Sequence, residues 1–156
     1  LTLERLRQSG LRLDREGRWW HGEEPVAHEG LSRALHRWLD RLDDGRHIVR
    51  LDERRYAYVE VEDAPYVVRT VELEGRGDAL RVYLRLSDGS EEELDYGSLE
   101  VGQDNALYCR VKAGRDEARF QRSAYYLLGE LFEEAGEEGG FVLRAAGRRW
   151  PVLERV

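Results

Sequence analysis

Hydrophobic and polar positions follow two different periods along the first half of the chain. Apolar residues first recur every three or four positions, the period of one helix face, at Leu31, Ala34, Leu35, Trp38, Leu39 and Leu42. After Gly45 the period changes to two, which is typical of strands with one buried face. The pattern therefore predicts a helix over residues 30–43, followed by strands over 47–52, 56–62 and 66–74.

The second half of the chain shows the same two periods. Alternating segments over 80–86 and 91–95 flank Asp88-Gly89, a dipeptide that favours a tight hairpin turn. Further strands are predicted over 99–101 and 107–111, and a second helix over 122–135. A last hairpin is predicted over 141–153, and a separate short helix over 2–8 at the start of the chain.

The two halves share an order of elements. A hairpin over 11–21, a helix over 30–43 and a hairpin over 48–60 match a hairpin over 107–121, a helix over 122–135 and a hairpin over 141–153. The pattern predicts an α+β fold of two repeated hairpin–helix–hairpin units that form mainly antiparallel sheets, each covered by one helix. The expected units are residues 1–75 and 76–156, packed against each other because an isolated hairpin is only marginally stable.

The cysteine count and the hydropathy indicate the cellular compartment. Cys109 is the single cysteine, so the chain has no intramolecular disulfide and no zinc site made of thiolates. No apolar run approaches the roughly 20 residues that cross a bilayer, and residues 1–10 lack the apolar stretch of a signal peptide. The expectation is a cytoplasmic protein that does not bind membranes.

The charge pattern argues against a nucleic-acid partner. The net charge is −7, and 24 of the 25 basic residues are arginines, Lys112 being the exception. This bias is typical of a genome rich in G and C, and an arginine face for phosphate is the alternative interpretation. Acidic residues interrupt the arginines throughout, as in Arg115-Asp116-Glu117, so no basic stripe attracts a polyanion.

Three segments resemble one family. They are Asp14-Arg15-Glu16-Gly17-Arg18-Trp19-Trp20-His21, then Glu62-Asp63-Ala64-Pro65-Tyr66-Val67, and finally Arg122-Ser123-Ala124-Tyr125-Tyr126 together with Gly147-Arg148-Arg149-Trp150-Pro151-Val152. In order and spacing they resemble the proteobacterial domain-of-unknown-function family 1285. The resemblance implies a duplicated α+β fold and a signalling or regulatory role, and it implies no established activity. The high arginine content and the paired Trp19-Trp20 depart from the family pattern.

Candidate chemistry is sparse. The densest group of metal-ligand residue types is His21, Glu23, Glu24 and His28, but its two histidines lie seven positions apart across Gly22 and Pro25, unlike the paired histidines of a metalloprotease helix. No nucleophile elbow or phosphate-binding loop is present. Cys109 lies in an alternating segment and is expected to be a buried structural thiol. We therefore expect no metal, no cofactor and no catalytic residues.

Aromatic residues beside arginines are the most informative feature. Trp19 and Trp20 are adjacent in a predicted strand, so they face opposite ways. One is expected to pack on the helix that contains Trp38, and the other to be exposed or at an interface. Exposed aromatic and arginine side chains have the composition of interaction hot spots.

These features predict a non-catalytic binding or regulatory module, in signal transduction, that binds a protein partner or a small acidic ligand. The candidate contact residues are Trp20, His21, Arg54, Arg55 and Asp63. Asp63 precedes Ala64-Pro65, where the strand pattern is interrupted. The alternative to a binding role is a structural one, in which its carboxylate accepts hydrogen bonds from backbone N–H groups. His36, beside the apolar stripe, is expected to be a flanking or surface residue and not a ligand.

Two alternative functions come from other classes. The first is a small hydrolase that uses the carboxylates and histidines around His21, Glu24 and His28. The second is a homodimeric scaffold, in which the exposed tryptophan forms the contact between two copies of the chain.

Overall fold

The computed structural model describes residues 10–155, and the chain divides into two compact units. Unit 1 comprises Leu1–Pro65 with Ser87–Gly89, and unit 2 comprises Tyr66–Leu86 and Ser90–Val156. The helix predicted over residues 2–8 lies outside the described residues. Between residues 10 and 155, no helix is long and apolar enough to cross a membrane.

Unit 1 contains one helix and a six-stranded sheet. The helix is α1 (Glu29–Arg37), and the strands are β1 (Leu11–Leu13), β2 (Trp19–His21), β3 (Glu24–Pro25), β4 (Leu39–Arg41), β5 (His47–Arg50) and β6 (Tyr56–Val61). Their order in the sheet is β3-β2-β1-β6-β5-β4. The central pair β1–β6 is parallel, and the other four pairs are antiparallel.

Helix α1 lies on the sheet face to which Leu13 and Trp19 point, and both of these side chains are fully buried. His28 caps the helix by accepting a hydrogen bond from the backbone N–H of Leu31 at 3.1 Å. His36 flanks the apolar stripe, as one of the two expectations had it, but it is buried beside Trp19 and does not lie at the surface. Trp19 packs on the predicted helix through His36, whereas Trp38 is partly exposed.

The first helix is shorter than the apolar pattern predicts. It ends at Arg37, and the segment predicted as its last turns contains strand β4. Leu39 pairs with Val49 of β5, and both are buried. Leu39 would be buried in a helix and is also buried in the observed strand. The spacing of apolar residues therefore cannot distinguish a helix from a strand at this position.

Unit 2 contains one helix and a nine-stranded sheet. The helix is α2 (Arg122–Gly129), and the strands are β7 (Tyr66–Glu74), β8 (Arg81–Leu86), β9 (Glu91–Glu93), β10 (Glu100–Val101), β11 (Leu107–Val111), β12 (Asp116–Phe120), β13 (Phe132–Glu134), β14 (Phe141–Ala145) and β15 (Arg148–Glu154). The order is β13-β14-β15-β10-β11-β12-β7-β8-β9. The pairs β10–β15 and β7–β12 are parallel, and the other pairs are antiparallel.

Helix α2 packs against β7 and β12, and its buried residues are Ala124 and Leu128. It ends at Gly129, so the prediction of a helix through residue 135 is wrong for its last part. Phe132 instead pairs with Leu143, and this pairing makes residues 132–134 an edge strand of the sheet.

The observed fold is mixed α+β and consists mostly of strands, as predicted. The predicted bounds of β7 are correct, and the turn at Asp88-Gly89 joins β8 to β9. Trp19 and Trp20 do face opposite ways: Trp19 is buried, and Trp20 is only half-buried.

Candidate interaction surface

The sheet of unit 1 presents a second face, opposite α1, that carries aromatic and arginine side chains. Directly opposed residues on paired strands share a face, so Arg12 lies on the same side as Trp20. The parallel pairing of Arg12 with Glu60 extends this face along β6 to Tyr58 and Tyr56. We call the set on this side the arginine–aromatic face: Arg12, Trp20, Arg46, Arg50, Tyr56 and Tyr58.

Each aromatic ring of this face has an arginine beside it. The distances from the guanidinium carbon to the ring centroid are 5.0 Å for Arg12 and Trp20, 4.4 Å for Arg46 and Tyr58, and 5.5 Å for Arg50 and Tyr56. The rings of Tyr56 and Tyr58 also meet edge to face at 5.9 Å. Each such cation–π pair contributes about 0.5–1 kcal/mol at an exposed site, which is a small part of the stability of a fold. The main effect of these pairs is to orient the side chains.

The three arginines each have a carboxylate partner. The nitrogen–oxygen distances are 2.6 Å for Arg12 and Glu62, 2.8 Å for Arg46 and Asp44, and 3.0 Å for Arg50 and Asp40. The face is therefore balanced in charge, with acidic groups alongside the basic ones. An anionic ligand would have to compete with these carboxylates for the guanidinium groups.

Asp14, between β1 and β2, holds the tryptophan of this face through a hydrogen bond. The residue is 5% exposed, and its carboxylate accepts hydrogen bonds from Trp20 Nε1 at 2.9 Å and from the backbone N–H groups of Arg18 and Glu16 at 2.8 and 3.0 Å. Burial alone would raise the pKa of Asp14, but the Trp20 and Arg18 hydrogen bonds and the nearby Arg18 charge outweigh it and lower the pKa below its usual value. Asp14 thus stays ionised and fixes the indole orientation.

Asp14 belongs to the family-like segment Asp14–His21, but it was not predicted to be a site residue. The signal that could have found it is its position between two strands, at the start of Asp14-Arg15-Glu16-Gly17. An aspartate in such a place commonly accepts hydrogen bonds from backbone N–H groups two residues further on.

The five predicted contact residues all lie in unit 1, but they are not all on one face. Trp20 belongs to the arginine–aromatic face, whereas His21 follows it in β2, points the opposite way and is exposed. Arg54 and Arg55 are exposed in the turn between β5 and β6, where Arg55 Nε binds Asp52 at 2.7 Å. Asp63 is half-buried after β6.

The histidines considered for a metal or hydrolase site have structural surroundings. His28 Nδ1 faces the N-terminus of α1, where it accepts the Leu31 hydrogen bond. His21 pairs in register with Glu24 across β2 and β3. Among residues 10–155, no group of three or more histidine, cysteine, aspartate or glutamate side chains is arranged to hold a metal ion.

Cys109 is a buried thiol, as predicted. It lies in β11 with 1% of its surface exposed. Burial, reinforced by the negative charges of Glu92, Asp95 and Glu117, raises the pKa of Cys109 far above its usual value. The side chain therefore remains a neutral thiol.

Comparison with known proteins returns two solved structures with the same fold. One is a DUF1285 family protein from Silicibacter pomeroyi DSS-3, with a TM-score of 0.76 and 25% identity, over 94% of this chain and 80% of that one. The other is a duf1285 family protein from Shewanella baltica OS155, with a TM-score of 0.60 and 18% identity, over 78% of this chain and 91% of that one. No family model and no curated protein matches the sequence.

Proposed function

We propose a partner-binding function, without catalysis, for this chain, which belongs to the DUF1285 family. The arginine–aromatic face is the surface that receives the partner. The observation that carries the proposal is the presence of three arginine–aromatic pairs on one face of one sheet. Arginine, tyrosine and tryptophan are the residue types that contribute most to protein–protein binding energy.

A protein is a better fit to this face than a small acidic ligand. The guanidinium groups of Arg12, Arg46 and Arg50 already bind carboxylates, so a small anion would gain little from displacing them. A protein partner brings groups of both signs and covers the rings at the same time. The regulatory role in signal transduction and the cytoplasmic location that we expected from the sequence belong to this proposal.

The proposal includes an internal duplication of the chain. The strands of unit 1 follow the order β4-β5-β6-β1-β2-β3, and six strands of unit 2 follow the order β13-β14-β15-β10-β11-β12. In both cases the helix precedes the first strand of that series, and the third and fourth strands of the series are parallel. Loops of equal length close in the same way, through Asp14 N–H to Arg18 O at 2.9 Å and Gly102 N–H to Ala106 O at 2.8 Å.

Side-chain contacts support the same correspondence, with the charges exchanged. In unit 1 Arg12 binds Glu62 and lies over the Trp20 ring. At the matching positions of unit 2, Glu100 binds Arg155, which lies 3.8 Å from the Tyr108 ring centroid. Each unit therefore has one aromatic residue and one ion pair at these three positions, although the residue type differs between the units at every one of them.

The duplication helps to explain why the proposed surface belongs to unit 1. The positions of unit 2 that match Tyr56 and Tyr58 are Arg149 and Pro151. Unit 2 therefore lacks the tyrosine pair at these two positions. The aromatic row is a feature of one copy, as expected when one copy of a duplicated fold acquires a binding role.

The test is site-specific crosslinking followed by binding measurements. A photoreactive amino acid would replace Tyr58 in one variant and Tyr83 in another, because Tyr83 is a half-buried tyrosine on β8 of unit 2. A protein that crosslinks through position 58 and not through position 83 would be purified. Its affinity would then be measured by calorimetry for the original chain and for Tyr58→Ala, Arg46→Glu and Tyr83→Ala.

We expect Tyr58→Ala and Arg46→Glu each to weaken binding at least about tenfold, a change of 1.4 kcal/mol, whereas Tyr83→Ala leaves affinity unchanged. Equal crosslinking at both positions, or unchanged affinity in both unit 1 variants, would refute the proposal. A thermal shift with inorganic phosphate or citrate that Arg46→Glu abolishes would favour the small acidic ligand instead.

A further inference from the structure

Helix α2 carries large apolar side chains on its outer face as well as on its inner face. Ala124 and Leu128 are buried, while Tyr126 and Leu127 are 59% and 45% exposed and Leu131, just after the helix, is 36% exposed. Exposed apolar side chains that lie together on one face mark an interaction surface. In unit 1 the exposed apolar residues Leu31, on α1, and Trp38, just after it, instead lie seven positions apart, at the two ends of the buried stripe.

Two neighbouring rows, each with a spacing of four residues, cover the outer face of α2 and continue to Glu130 and Leu131, just past its last residue, Gly129. One row is Arg122, Tyr126 and Glu130, and the other is Ser123, Leu127 and Leu131, and all six residues are exposed. Rows of this spacing are the ridges that interdigitate when two helices pack. The first row reads basic, aromatic, acidic along the helix axis.

This row is complementary to itself when it runs in the opposite direction. Arg122 and Glu130 lie at equal distances on either side of Tyr126, about 12 Å apart along the axis. A two-fold axis through Tyr126 would bring Arg122 of each copy opposite Glu130 of the other. The Arg122 guanidinium is already oriented on this face, since it donates a hydrogen bond to the Tyr126 hydroxyl at 3.1 Å.

We infer that a second copy of this chain packs antiparallel on the outer face of α2, with two Arg122–Glu130 ion pairs around a Tyr126 and Leu127 centre. A two-fold interface requires a surface that is complementary to itself, and this row meets that requirement. The interface is in unit 2 and is independent of the arginine–aromatic face proposed for a different protein partner. It also replaces Trp20 as the contact of a homodimer.

Sedimentation equilibrium of the full chain tests the inference, with variants that reverse one charge each. Arg122→Glu would place two carboxylates opposite each other, and Glu130→Arg would place two guanidinium groups opposite each other. We expect each variant alone to raise the dimer dissociation constant at least about tenfold. An equimolar mixture of the two should recover a heterodimer, because both of its contacts are then of opposite charge.

The control is Arg37→Glu, which reverses an exposed arginine in the last turn of α1 and should leave the dimer unchanged. Leu127→Glu should also give a single-chain mass, and circular dichroism shows whether that variant is folded. If Leu127→Glu is unfolded, the equimolar mixture of the two charge-reversal variants is the test of the interface. A single-chain mass for the original protein up to about 1 mM, a dimer that both charge reversals leave intact, or a mixture that does not associate would overturn the inference.

Discussion

The Nε1–H of Trp19 donates a hydrogen bond to Nδ1 of His36 at 2.9 Å, inside the core of unit 1. Both side chains are 1% exposed, and their rings meet edge to face at 5.1 Å. The acceptor role requires that His36 Nδ1 carry no proton, so the contact fixes the neutral form of the imidazole. The bond joins β2 to α1 and positions Trp20, the next residue along the strand.

Replacing either partner of this bond should destabilise the protein through the group that remains. Trp19→Phe leaves His36 Nδ1 without its indole donor, and His36→Leu leaves the indole N–H buried. Either change should lower the free energy of unfolding by about 1–3 kcal/mol, apart from any loss of packing. The measurement is urea unfolding of both single variants and the double variant.

The double variant should lose less stability than the sum of the two single losses, because the second substitution removes the group that the first left unsatisfied. Losses that add within about 0.5 kcal/mol would show that the hydrogen bond does not couple the two residues.

Asp14 should make stability depend on acid pH. Its pKa in the folded protein is below the usual value of 3.8, so the unfolded state binds the proton more readily. The stabilisation is complete above the pKa of the unfolded state and is lost as the pH falls through the lower pKa of the folded state. Asp14→Asn should therefore be less stable than the original protein at pH 7, and the difference should shrink below pH about 4.

Urea unfolding at a series of pH values measures this difference. Asp43→Asn, at an exposed aspartate of the same unit, serves as the control for the loss of one negative charge. A difference for Asp14→Asn that stays constant down to pH about 2 would contradict the assignment of the acid dependence to Asp14.

Local sequence patterns predicted most strands well and the helix ends poorly. The predicted bounds of strand β7 match the observed ones, although Tyr66, Val67 and Val68 are all buried and the strand does not alternate there. Leu39 and Phe132 each follow a helix, in the predicted helical spacing, yet each pairs with a later strand. What decides between helix and strand there is pairing with residues about ten positions away, which a helical pattern does not reveal.

The candidate surface depends on contacts that are still more distant in the sequence. Trp20 was recognised as an interaction residue because it adjoins Trp19 in a strand and the two must face opposite ways. Its neighbour Arg12 binds Glu62, fifty positions later, because β1 and β6 are parallel in the sheet centre. A parallel pair needs a long crossover, and turn signals give no register for it. Arg12 was therefore not predicted to join this surface.

Cys109 should resist thiol reagents until the protein unfolds. It is buried and its pKa is raised, so neither access nor the reactive thiolate is available in the folded state. Thr70→Cys in a Cys109→Ala background provides an exposed thiol in the same unit. Reaction with a disulfide reagent should be slower at Cys109 by at least about a thousandfold and should speed up with urea. Equal rates in native buffer would show that β11 opens readily.

The Arg12–Glu62 ion pair of unit 1 and the Glu100–Arg155 ion pair of unit 2 should respond differently to exchange of their charges. Arg12→Glu and Glu62→Arg should each cost about 0.2–1 kcal/mol of unfolding free energy, as expected for a partly exposed pair, and the double variant should recover most of the loss. In unit 2, Arg155 binds both Glu100 and Glu117.

The double variant Glu100→Arg with Arg155→Glu should therefore stay destabilised, because the new carboxylate at position 155 faces Glu117. Adding Glu117→Gln should relieve that repulsion and restore part of the loss. Thermal and urea unfolding of both series provide the comparison. Full recovery of the unit 2 double variant without Glu117→Gln would mean that Glu117 does not contribute to holding Arg155 over Tyr108.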